Sequence, residues 1–161
     1  MPVARTFDFA LIVGQAVGRR AVGFLQSAKD PSLDGGQKFR ELKSAREREV
    51  RSRLDYWIAG GTNNRWFHGW PDLTKYKECF TFKWKENRQH QRLYGFLHHP
   101  KPKTAPRFVV CVLVYHDEKN EDETDFSILD RLNELRKDSS VVQAINSLFP
   151  EERSSKQKWV Q

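Results

Sequence analysis

The sequence predicts an α+β fold: a small antiparallel meander sheet packed against N-terminal helices, with a C-terminal helical segment. Three observations point there. Phe39, Leu42, Ala45, Val50, Leu54, Trp57 and Ile58 recur every three or four positions through charged sequence, as on one face of a helix. Three β-like runs follow between Tyr76 and His116, joined by short polar turns of the kind that make antiparallel neighbours. Ile128, Leu129, Leu132 and Leu135 then return to helical spacing.

Taken in order, residues 6–13 are β-prone and read as a strand, and residues 15–29 as a short helix before the loop signals Asp30-Pro31-Ser32 and Gly35-Gly36. Residues 37–59 form the amphipathic helix, closed by Gly60-Gly61. Its arginines, Arg46, Arg48, Arg51 and Arg53, stand among glutamates as a solvated face. The aromatic segment around Trp66 and Trp70 reads as a packed loop covering the open end of the core. In the first meander run, residues 76–85, Phe80, Phe82 and Trp84 share one side, while Cys79, Thr81, Lys83 and Lys85 share the other. The second run spans 92–98. The third, 107–116, is apolar on both faces, as a central strand would be. Beyond an acidic loop over 117–125, Thr124 or Asp125 can cap a helix, and a last helix over 139–149 ends before Pro150. At 161 residues this is one domain over 1–150 with a polar tail over 151–161.

The net charge of +7 attracts polyanions, favouring nucleic acid or an acidic protein as partner. Cys79 and Cys111 lie inside apolar runs and read as reduced core thiols, with a cross-strand disulfide as the alternative. The apolar stretch 7–17 is too short to span a bilayer, and Arg19-Arg20 follow it where a cleavage site would be needed. The expectation is a soluble, cytoplasmic protein without a membrane partner.

No phosphate-binding glycine loop, Cys-x-x-Cys pair or nucleophile elbow is present, and His98-His99 have no cysteine at zinc spacing. The sequence therefore calls for no metal and no cofactor. What remains is a set of cations on or beside the sheet: Lys83, Lys85, Arg92, Arg107 and Lys119. Charged strand residues often serve only to keep a sheet edge solvated. They can also serve RNA cleavage, in which the 2′-hydroxyl attacks the adjacent phosphorus. That reaction needs cations at the phosphate, a proton acceptor and a proton donor. Tyr94 reads equally as a core aromatic or as a hydroxyl at the rim.

The succession of a long helix, the segment Tyr76-Lys77-Glu78-Cys79-Phe80-Thr81-Phe82-Lys83-Trp84-Lys85, the segment Arg92-Leu93-Tyr94-Gly95-Phe96, a hydrophobic strand and a charged loop resembles the RelE/HigB-type toxins of bacterial and phage toxin-antitoxin systems. The resemblance covers about residues 37–145. It implies a RelE-like fold and an endoribonuclease that cuts messenger RNA on the ribosome and is neutralised by a cognate antitoxin. By the same resemblance Lys83, Lys85, Arg92 and a loop cation, Lys119, would act on the phosphate, with His116 or Tyr94 as proton donor. The family's C-terminal aromatic acid, usually a tyrosine, falls on Phe126, which has no hydroxyl. Arg88, Arg107, Lys101 and Lys103 would extend the RNA contact. A non-catalytic RNA- or protein-binding module of the same fold is the alternative.

Overall fold

Residues 20–26 send Ala21 and Leu25 into one apolar core and Val22 and Phe24 into another. Alternation between two cores is what a strand covered by helices on both sides requires. In the computed structural model, which describes residues 7–11, 20–61, 63, 65–100, 109–119 and 124–149, this run is a strand, β2 (Arg20–Gln26). The helix expected over 15–29 does not form in its described part. An apolar run with both faces buried has no period to separate helix from strand.

The other strands are β1 (Asp8–Leu11), β3 (Phe67–Gly69), β4 (Cys79–Glu86), β5 (Gln89–His98) and β6 (Val109–Lys119). They form one six-stranded sheet in the order β1-β2-β6-β5-β4-β3. All neighbours are antiparallel except β2 and β6, which run parallel with Arg20 opposite Val109 and Phe24 opposite Leu113. The expected three-stranded meander is thus the centre of a larger, mixed sheet. The segment around Trp66 and Trp70 is not only a loop, because its residues 67–69 add an edge strand beside β4. The first meander run starts at Cys79, with Tyr76 in a 3-10 turn before it.

Among the described residues, four helices cover the two faces. The amphipathic pattern of 37–59 is divided into α1 (Gly35–Arg40) and α2 (Ser44–Ile58). Lys43 takes an extended conformation between them, and Leu42 packs against the sheet core at the break. Gly35-Gly36, expected in a loop, begin α1 where Gly35 lies close to the Val114 carbonyl. Gly60, at φ +106°, lies beyond the end of α2 in a conformation that side chains resist. Val50, Leu54, Trp57 and Ile58 of α2 meet Phe80, Phe82 and Trp84 of β4. On the opposite face α3 (Phe126–Lys137) and α4 (Ser139–Asn146) bring Ile128, Leu129, Leu132, Val141 and Ile145 onto Tyr94, Phe96, Val110 and Val112. Asp125 caps α3 by accepting from Ser127 N at 3.0 Å, and Asp138 caps α4 by accepting from Ser140 N at 2.8 Å. The result is a mixed α+β fold with helices on both sides of the sheet. Among the described residues no helix is long and apolar enough to cross a membrane.

Candidate nucleic-acid interface

Strand register decides which of the charged side chains meet. Lys83 on β4 lies opposite Arg92 on β5, and Arg92 lies opposite Asp117 on β6. One step towards the hairpin tip, Lys85, His90 and Lys119 make a parallel row. One step the other way stand His68 of β3, Thr81, Tyr94 and Tyr115. All three rows share the face that α3 and α4 cover further along the sheet. Four of the expected phosphate-binding cations, Lys83, Lys85, Arg92 and Lys119, are therefore brought to one surface. Lys119 is the last residue of β6 and does not belong to the loop after it, because the strand continues past His116.

His116 is placed elsewhere. It lies opposite Leu93, whose side chain belongs to the core under α1 and α2, so it faces away from Lys83 and Arg92. Its Nε2 lies 2.6 Å from Gln91 Oε1, and its backbone N–H donates to Asp34 Oδ1 at 2.8 Å. His116 and Gln91 line a groove of about 540 Å³ on that opposite face, together with Trp84. Arg46, at the rim of this groove, is held by Glu49 at 2.7 Å and Glu86 at 3.2 Å. A proton donor for a phosphate on the Lys83 face cannot come from His116, since the sheet stands between them.

Arg92 is 4 % exposed. A guanidinium this deep demands partners. Its Nη1 donates to the Tyr94 hydroxyl at 2.9 Å, and the Asp125 backbone N–H also points at that hydroxyl from 3.5 Å. Tyr94 is fully buried, which settles it as a core aromatic whose hydroxyl orients the arginine. Asp117 faces Lys119 Nζ at 3.5 Å and offsets part of the cationic charge. Lys83 is half-buried and Lys85 exposed. Phe126 is exposed and rests on Tyr76, ring centroids 5.4 Å apart. Arg88 stands exposed in the two-residue turn between β4 and β5, where Asn87 and Arg88 both have positive φ, 52° and 67°. Positive φ at both positions is what a tight hairpin needs. Lys101, Lys103 and Arg107 lie outside the described residues.

Between the Lys83–Arg92 row and the His68–Thr81 row a pocket of about 180 Å³ opens, lined by His68, Trp70, Thr81, Lys83, Arg92 and Thr124. Thr81 is 1 % exposed, and its Oγ1 has no hydrogen-bond partner among the described residues. His68 sits at the mouth with its ring edge-on to the buried Trp70, centroids 4.8 Å apart at 90°. Sequence reasoning missed His68, Thr81 and Asp117 as members of this site, and it weighed Trp70 as a base-stacking residue but preferred it as cover for the open end of the core. Alternation could place Thr81 on the Lys83 side, but His68 joins it only through the β3–β4 register, and β3 is three residues long. Among the described residues no three His, Cys, Asp or Glu side chains gather to hold a metal ion.

No family model matches the chain, and no curated protein and no solved structure does so either.

Proposed function

We propose that the Lys83–Arg92 face binds the phosphate backbone of RNA, and that the protein is a RelE/HigB-type toxin with a RelE-like fold, a metal-independent endoribonuclease acting on messenger RNA at the ribosome and held in check by a cognate antitoxin. The observation that carries this reading is the register, which brings Lys83, Lys85, Arg92 and Lys119 to one face of the sheet, with Lys83 and Arg92 lining a pocket. Arg92, held by Tyr94, stands in the pocket wall, and the planar fork of a guanidinium matches the geometry of a phosphate. Lys83 at the pocket wall and Lys85 and Lys119 further out would neutralise charge as it develops on the phosphoryl oxygens.

The test is cleavage of messenger RNA by the purified protein on translating ribosomes, and of free single-stranded RNA in EDTA. Cleavage is expected to fall about 10²-fold or more in Lys83→Ala, the loss usual for one stabilising group at a reacting centre. Arg92→Ala should fall further, and circular dichroism will show whether that variant still folds. If wild-type protein cuts neither substrate, the enzymatic reading fails.

A second reading, a non-catalytic RNA-binding module, is favoured by one fact. Phe126, at the position of the family's tyrosine, has no hydroxyl, and of the two substitutes expected from sequence Tyr94 is buried against Arg92 and His116 is on the other face. Binding without cleavage, weakening steeply with salt, selects that reading.

A further inference from the structure

Phosphodiester cleavage by a neighbouring 2′-hydroxyl requires that hydroxyl to lose its proton as it attacks. An imidazole does this well at neutral pH. His68 is the imidazole that the fold brings to the Lys83–Arg92 pocket. It stands on β3 directly opposite Thr81, so the next residue of β4 on that face, Lys83, is its diagonal neighbour across the strand pair. Side chains so related are within reach of one another. The buried Trp70 braces the ring, and the Thr81 hydroxyl beside it is buried without a hydrogen-bond partner among the described residues, a polar group left over in a pocket wall. At about 180 Å³ the space is smaller than the ~300 Å³ at which pockets begin to enclose a drug-sized ligand. It suits one phosphodiester and the edge of its ribose, with the rest of the strand outside.

We propose that His68 is the general base of this site, acting on the 2′-hydroxyl of a single-stranded RNA phosphodiester seated between Thr81, Lys83 and Arg92. The proposal rests on the endoribonuclease reading, supplies the proton acceptor that reading leaves unassigned, and gives the proton-donor role to Lys83. The imidazole takes the 2′ proton as the 2′ oxygen bonds to phosphorus. The bond from phosphorus to the 5′ oxygen breaks, and that oxygen takes a proton from the Lys83 ammonium. The products are a 2′,3′-cyclic phosphate and a 5′-hydroxyl end, and the two side chains exchange protons with water to return to their starting states.

The experiment compares wild type with His68→Ala and His68→Gln on one labelled RNA, measuring binding and cleavage separately. Loss of a general base costs about 10²–10⁴ in rate, so both variants should cut that much more slowly while binding RNA within about twofold of wild type. Added imidazole should restore part of the rate to His68→Ala, which a purely structural role would not allow. A substrate with a 2′-deoxyribose at the cut site should resist the wild-type protein. Cleavage by His68→Ala at the wild-type rate overturns the role of His68 and leaves the endoribonuclease reading standing. A slow His68→Ala that imidazole does not revive, and that has lost RNA binding, makes His68 structural and also overturns the proposal. Wild-type protein that binds RNA and cuts none overturns the endoribonuclease reading, and the general base with it.

Discussion

His98 and His116 are two imidazoles that the fold withdraws from water on opposite faces of the sheet. Burial is the main reason that both titrate below the ordinary imidazole range. For His98 the Asn146 side chain, 2.8 Å away, works against burial, and His99 works with it. For His116 the carboxylates of Asp34, Glu118 and Asp117 work against burial, while Lys38 works with it. A histidine whose folded pKa is lowered takes up protons more readily when unfolded. Its contribution to stability is therefore complete above the ordinary value of about 6.5 and declines as pH falls below it. Urea denaturation is expected to show a lower midpoint at pH 5.5 than at pH 7.5, with a smaller difference in His116→Gln. Equal differences in wild type and variant would show that His116 is not responsible.

At the level of elements, the junction of β5 and β6 depends on a single glycine. The register shifts between Tyr94 and Gly95, and a Cβ added at Gly95 would lie 2.1 Å from the Val112 carbonyl oxygen, a backbone atom that cannot step aside. Gly95→Ala should destabilise the protein by about 1–3 kcal/mol, the usual range for forcing atoms into a packed core. A denaturation midpoint unchanged from wild type would refute this. Much of this hairpin was legible beforehand. Strict alternation of aromatic and polar residues gave the two sides of β4, and the short turn gave its antiparallel partner. The shift at Gly95 left no trace in the pattern, nor did the break at 41–43, where Leu42 packs against the sheet core. β2 was misread because an evenly apolar run lacks a period, and its partner is distant in sequence.

In the whole molecule, each face of the sheet holds one thiol. Cys79 packs under α3, its Sγ 3.7 Å from the Leu129 carbonyl, while Cys111 belongs to the core beneath α1 and α2. Both are free, and no disulfide joins them. Burial pushes Cys79 up to about 11 and Cys111 further still, so neither is a thiolate at neutral pH. An aromatic disulfide reagent at pH 8 is expected to leave both unmodified in the folded protein and to label them together as the molecule unfolds. One thiol reacting alone in native buffer would mean that its layer opens independently of the other. The cation face was legible as composition and alternation, but its members His68 and Asp117 are supplied by two other strands, β3 and β6, and only the assembled sheet shows them together. The parallel pairing of β2 with β6 also sets an order of events during synthesis. β2 emerges with β1 beside it, and its other edge stays bare until residue 109 follows, an interval on the order of 5–20 s at ordinary translation rates. The strand that then arrives joins the two halves of the sheet and carries Asp117 and Lys119 into place, so the cationic surface is assembled late, just before α3 and α4 cover the remaining core.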